Sequence, residues 1–237
     1  MRNLIVGLVA LVSLFGLLSD SAFSQIQMMN QNENEVQYKD RLGLNIGFGS
    51  GSQSIPIATL SDGSKTSISF GGGTLVQLQY GHEFSKNFDV AIDIGGQFSS
   101  LDQKVSNGNM DFNRTILSVT PFYILPITGD EKYRLKIGAG IDFLYNAELN
   151  FNLSQVSSGM KDDWKYNSAF GEHVSVLVEM NLPSRFSISA GFKWQNANYT
   201  FDTGNTTYPT SNSDLKSPNG SGINILLGAY YHFDWID

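Results

Sequence analysis

Between residues 41 and 233 the chain keeps returning to one pattern, in which apolar residues alternate with polar or small ones and the charged residues keep to a single parity. A period of two is that of a strand with two unlike faces. Leu42, Leu44, Ile46 and Phe48 alternate with Gly43, Asn45, Gly47 and Gly49, and Val76, Leu78, Tyr80 and Phe84 with Gln77, Gln79, Gly81 and Glu83. Further runs at Phe88–Phe98, Phe112–Leu125, Tyr133–Tyr145, Val174–Leu182, Phe186–Trp194 and Ile223–Phe233 bring the number to eight. The phase is least regular in the fourth. If Leu117, Val119, Pro121 and Tyr123 face one way there, Phe122 and Ile124 share the other face with Ser118 and Thr120. A bulge near Pro121, which lacks a ladder donor, is expected to reconcile the two.

The links alternate in length. Short ones fall at 85–87, 126–132 and 183–184, and long ones at about 50–71, 99–111, 147–170 and 202–221. An up-and-down barrel that crosses a membrane has short turns at one end and long loops at the other, and strands of about 9–11 residues or somewhat more. The expected fold is therefore all-β: an antiparallel transmembrane barrel of eight strands over 41–233.

Alternation alone does not say which face is inside, since a soluble barrel turns its apolar face inward. The polar face here carries Gly43, Gly47, Gly49, Gly81, Gly95, Gly138, Gly140, Gly191 and Gly228. Glycines weaken a strand and serve no purpose on a solvated exterior, whereas the narrow lumen of an eight-stranded barrel needs small residues. Aromatics of the apolar face gather at the run ends, as interfacial girdles do. Phe84, Phe88, Tyr133, Phe186, Tyr231 and Phe233 lie toward the short links, and Phe48, Phe98, Tyr145 and Trp194 toward the long ones. A lipid-facing Lys or Arg costs about 2–4 kcal/mol at the bilayer midplane. Accordingly Glu83, Asp89, Asp93, Arg134, Lys136, Asp142, Glu179, Arg185 and Lys193 all share the polar parity. Both signs on one enclosed face predict pairing across the lumen and a plugged interior.

Ahead of the barrel, residues 1–24 have Arg2, an apolar stretch from Leu4 to Leu18 and small Ala22 and Ser24, the layout of a signal peptide. Residues 25–40 are polar and aperiodic, an expected flexible periplasmic lead-in, and 234–237 form a short extension. The chain has no cysteine, so disulfides and thiolate metal sites are excluded. A net charge of −7 without a basic cluster argues against nucleic acid as a partner.

With Leu117–Leu125, Tyr133–Tyr145 and Gly228–Phe233 placed on strands, the chain resembles the small eight-stranded outer-membrane barrels of the OmpA-barrel, OmpX-like and PorT-like kind, with OmpW-like proteins as neighbours. The resemblance covers about 41–233 and carries the family's C-terminal assembly signature onto Gly228, Tyr231 and Phe233. The family's terminal aromatic is usually the last residue, whereas Asp234-Trp-Ile-Asp237 follows here. The resemblance implies a diderm bacterial outer membrane with both termini periplasmic. Implied partners are membrane lipids, periplasmic chaperones and the barrel-assembly machinery during biogenesis, and an extracellular ligand of unspecified kind.

Candidate chemistry is sparse. The glycines of 47–51 and 71–73 open no helix and carry no Gly-Lys-Ser/Thr, so they are expected as strand and loop glycines. His82, His173 and His232 fall on different runs, and no catalytic, cofactor or metal site is expected. His173-Val-Ser175 resembles the His-x-Ser segment of the lipid A deacylase barrels, with Glu172 or Glu179 as acid. Its parity points into the lumen, while that chemistry must open toward lipid. The leading expectation is a non-enzymatic barrel presenting surface loops for a structural, adhesive or binding role. Ile57, Leu60, Met110, Val156, Trp164 and Tyr208 are then loop residues at the surface. Passive transport of small or hydrophobic solutes is the alternative, and a lipid A hydrolase a minor one.

Overall fold

In the computed structural model, residues 39–59, 62–103, 108–127, 132–152, 161–204 and 213–234 are described. They belong to the second of two units in the chain, Tyr38–Asp237. The expected signal peptide, nearly all of the lead-in, residues 235–237, and Leu60, Val156 and Tyr208 lie outside the described residues.

Eight long strands form the wall: β1 (Asp40–Gly51), β4 (Gly73–Ser85), β5 (Phe88–Ser100), β6 (Asn109–Pro126), β7 (Tyr133–Asn152), β9 (Ala169–Asn181), β10 (Phe186–Asn196) and β12 (Gly222–Phe233). Each pairs antiparallel with its neighbours in sequence order, and β1 closes on β12 in unbroken register from Asp40 opposite Phe233 to Gly51 opposite Gly222. Closure leaves the wall no free edge. The residue before β1 and the residue after β12 are also tied outside the ladder, where the Lys39 amide donates to Asp234 Oδ1 at 3.1 Å.

Burial follows the predicted parity, inverted relative to a soluble barrel. Outward Leu42, Leu78 and Ile141 are 53%, 57% and 62% exposed, while inward Arg41, Asp89 and Asp142 are almost wholly buried. Such a continuous apolar exterior is what a hydrocarbon environment requires. Inside, glycines make room for bulk. A β-carbon on Gly81 would overlap the Arg41 guanidinium, and one on Gly138 would overlap the Phe122 ring.

The bulge expected near Pro121 is not there. Register between β5 and β6 runs without a break from Phe88 opposite Tyr123 to Ser100 opposite Asp111, and Phe122 and Ile124 simply fill the lumen. The irregularity lies instead on β7. Pairing to β6 jumps from Thr115–Tyr145 to Asn113–Glu148, three residues on β7 against two on β6, with Asn146 at φ 51°. Asparagine tolerates that left-handed conformation better than most residues. The extra residue inverts the strand's phase. Below it Lys136, Asp142 and Leu144 point inward; above it Ala147, Leu149 and Phe151 do.

Much of what was expected as loop is ordered strand. β6 and β7 run through Asn109 and Asn152, into the segments assigned to loops at 99–111 and 147–170. Three shorter pieces add to them: the hairpin of β2 (Ile55–Thr59) and β3 (Lys65–Ile68), β8 (Lys161–Tyr166) laid beside upper β7, and β11 (Phe201–Thr203) beside β8. A 3-10 helix occupies Ser213–Lys216. Asp102 accepts from the Ser67 amide at 2.8 Å and the Ser67 hydroxyl at 2.6 Å, tethering the hairpin to the end of β5. Those two bonds hold the Asp102 carboxyl below its ordinary range. A depressed carboxylate stabilises above its unfolded pKa, about 3.9, and that contribution disappears as pH falls through the folded value. The protection factor of the Ser67 amide should therefore fall below about pH 4, and Asp102→Asn should remove most of that change in protection.

Candidate functional site: a filled lumen under a folded cap

Toward the short turns the lumen holds a chain of six charges of alternating sign: Glu83, Arg134, Glu179, Lys136, Asp89 and Arg41. Arg134 Nη1 donates to Glu83 at 3.0 Å and the same guanidinium pairs with Glu179. Lys136 Nζ lies 3.5 Å from Glu179 and pairs with Asp89, and Arg41 Nη1 donates to Asp89 at 2.6 Å. Each ion has a neighbour of opposite sign on both sides or at the chain's end, which offsets the large cost of desolvating it. Lys136 also stands over the Phe122 ring, 5.4 Å from its centroid.

Higher in the lumen Asp142 is the hub. It accepts from Lys193 Nζ at 2.9 Å, from Gln195 Nε2 at 2.7 Å and from the Ser118 hydroxyl. His173 Nδ1 is 3.0 Å from it but poorly aligned, and His173 Nε2 lies 2.8 Å from Thr120 Oγ1. Between the two layers Asp93 accepts from Gln79 at 2.7 Å and Asn45 at 3.2 Å, and Asn45 in turn accepts from the Tyr230 hydroxyl at 2.6 Å. A cavity of about 10 Å³ remains beside Asp93, Gln77, Ser175 and Lys193.

The mouth at the other end is crossed by chain. Phe70 to Gly72 runs over it, with Gly71 and Gly72 packed so closely on the backbones at Gly51 and Ser221 that side chains would collide. That close approach is the role of the two glycine-rich stretches. Arg114, buried beneath, engages only neutral partners: Gln97 from Nε at 2.9 Å, Tyr199 OH at 2.8 Å and Gly220 O at 3.0 Å from Nη1, and Gln195 at 2.8 Å and Gln97 from Nη2. All five guanidinium donors are thereby used. One residue joins β5, β10 and the segments on either side of the 3-10 helix. Arg114→Ala should cost about 2 kcal/mol locally, read as faster amide exchange at Tyr199 and Gly220 with the lower lumen unchanged.

Above Arg114 the long-loop segments build an apolar core of their own. Phe70 meets Phe112 at 4.4 Å and Tyr166 at 5.5 Å, and Trp164 meets Phe201 at 5.0 Å and Phe151 at 6.2 Å. Tyr166, whose phenol burial pushes above its ordinary pKa, donates to Leu215 O at 3.0 Å. Backbone bonds lace the segments together, Ser52 to Ser221 at 2.8 Å and Asp102 to Ser67 at 2.9 Å among them. Met110 and Trp164, expected at the surface, are 1% and 0% exposed and hold this cap together. Ile57, also expected at the surface, is partly buried at its margin, as are Leu101, Ala169 and Phe201.

Glu83, Asp89, Asp93, Arg134, Lys136, Asp142, Glu179 and Lys193 are thus all lumen residues. Arg185, by contrast, is exposed in the turn before β10. Gly228 lies on the inward parity of β12, while Tyr231 and Phe233 stack outward at the short-turn end, 6.3 Å apart. Two lumen cations escaped sequence reading. Arg41 precedes the first apolar residue of its run, yet it shares the parity of Gly43 and Asn45. Arg114 sits between Phe112 and Ile116, which disguise a polar face. His82 is on the outward side, where it and Tyr80 converge on Asp40 at 2.8 and 2.6 Å. Among the described residues no group of three or more His, Cys, Asp and Glu could hold a metal. Ser175 points into the lumen and His173 is engaged by Thr120 and Asp142, so the His-x-Ser pair forms no nucleophile and base open to lipid.

A closed eight-stranded wall, apolar outside and ionic inside, defines an outer-membrane β-barrel fold. The same fold occurs in a major outer membrane protein from Thermus thermophilus, at 12% identity and a TM-score of 0.53 over 82% of this chain and 99% of that one. It also occurs in the outer membrane protein OprG from Pseudomonas aeruginosa, at 12% identity and a TM-score of 0.52 over 84% of this chain and 97% of that one. No protein-family model and no curated protein matches the sequence.

Proposed function

We propose that this protein is a sealed, non-enzymatic barrel of the bacterial outer membrane that holds a prefolded cap above the bilayer as a binding or adhesive surface. The observation that carries this reading is the filled lumen: ion pairs occupy its lower part, the Asp142 hub its upper part, and Arg114 with Phe70–Gly72 its mouth. Such a passage favours anchoring over axial transport. The cap, being packed rather than loose, needs little ordering to bind, which favours recognition. Support for an envelope address comes from the apolar exterior and from the outward pair Tyr231 and Phe233 with Gly228, the elements that assembly machinery and chaperones would read. The described ends of the barrel, Lys39 and Asp234, are joined at the short-turn end; in this reading that end is periplasmic. Planar bilayers containing the refolded protein should show no reproducible current steps. Stable channels would replace this reading with passive transport, and recovery of the protein from the soluble periplasm, without heat-modifiable gel mobility, would overturn it altogether.

A further inference from the structure

We propose that the outer wall carries a binding site for the primary ammonium headgroup of a lipid, centred on Glu172. The proposal rests on the reading that this exterior meets a bilayer. Glu172 lies on β9 between Phe170 and Val174, on the outward parity, and is exposed. Its cross-strand neighbours are Ile141 on β7 and Asn196 on β10. A carboxylate therefore stands where the apolar face ends, one step above the outward pair Trp194 and Val174. Asn196 fixes it there: its amide nitrogen donates to Glu172 Oε1 at 3.2 Å, and its amide oxygen accepts from the Ser221 hydroxyl at 2.9 Å. Among the described residues no cation pairs with Glu172. The surroundings select the kind of cation. Phe170, 76% exposed, lies two residues along the same face, and Phe143 and Trp194 hold the diagonal positions on the two neighbouring strands. Diagonal neighbours are about 7–8 Å apart, within reach of aromatic side chains, and Phe143 already meets Phe170 at 5.2 Å. A carboxylate among aromatic rings suits an ammonium, which donates to the oxygen and meets the ring faces. Calcium and magnesium need about six oxygen ligands, more than one carboxylate supplies. Beside and below Glu172 the wall continues as Ile141 and Val174, 62% and 40% exposed. The ligand that fits is thus charged at one end and hydrocarbon beneath it, a lipid rather than a basic peptide.

The test is native mass spectrometry of the refolded full chain, taken from vesicles of equal parts phosphatidylcholine, phosphatidylethanolamine and phosphatidylglycerol. Phosphatidylethanolamine should be retained with roughly fivefold preference over phosphatidylglycerol, the size of one exposed cation–π and ion-pair contact. It should also exceed phosphatidylcholine, whose methylated nitrogen cannot donate. Glu172→Gln and Phe170→Leu should each remove the preference, and either decides if the other does not fold. Glu148→Gln, which neutralises an outward carboxylate above Asn146, should leave it unchanged. Soluble glycerophosphoethanolamine should not displace the lipid; displacement would overturn a lipid as the occupant. Equal retention of the three lipids, a preference that survives in a folded variant of Glu172 or Phe170, or one lost equally in Glu148→Gln overturns the proposal while leaving the barrel in its bilayer. Failure of the chain to float with vesicles of any composition overturns both readings.

Discussion

Asp89→Ala should lower the unfolding free energy of the refolded barrel by about 3–5 kcal/mol, the range for removing one partner from a buried pair. Asp89 is 0% exposed and neutralises Arg41 and Lys136 together. Its loss leaves two desolvated cations, and the nearest remaining anion, Glu179, is already shared with Arg134. Lumen glycines bring the wall close around these groups, so the cations have little freedom to swing toward water. The measurement is a urea titration in lipid vesicles, read by gel mobility without boiling. Replacing Arg41, Lys136 and Asp89 together with well-packed apolar residues should restore most of the loss, because neutral substitutes carry no desolvation penalty. A single-mutant effect under about 1 kcal/mol would mean that the network behaves like solvated surface pairs.

Leu78→Arg should destabilise the barrel in vesicles by about 2–4 kcal/mol, and Phe98→Arg by only about 0–1 kcal/mol. Both residues point outward, but Leu78 pairs with Leu44 and Ile94 in the middle of the wall, whereas Phe98 lies at the long-loop rim beside Asn113. A guanidinium at the rim reaches headgroups and water; one at the centre does not. The contrast between the two positions, measured in the same lipid, reports the depth of each. Equal penalties would mean that the outer face does not meet a bilayer along this axis.

The strands of this barrel were legible because its exterior must be apolar and most of its interior is polar, so nearly every barrel run between Leu42 and Phe233 carries a clear alternation, the fourth being the exception. Eight of the lumen charges followed from parity, whereas Arg41 and Arg114 did not and Arg185, of the same parity, is exposed. The partners of those eight did not follow, since parity fixes a face but neither height nor register, and Arg134 reaches Glu83 and Glu179 on strands far apart in sequence. Phe112, Arg114 and Ile116 misled for a related reason: near the mouth the interior changes from ionic to apolar, and a face defined as polar ceases to look like one. The cap was illegible. Its core residues, Phe70, Met110, Leu149, Trp164 and Tyr199, come from separate segments with no shared period, and the phase break at Asn146 made the upper half of β7 look like an irregular loop.

Asn146 also bears on how such a protein could be recombined. One backbone residue there exchanges the grammar of the strand: beneath it oil lies outside and charge within, and above it water lies outside and oil within. A foreign cap spliced onto this wall with the wrong parity at that joint would present its core to solvent and its surface to the lumen, whatever its own stability. The joint, more than the cap, sets which water-soluble folds this barrel can carry.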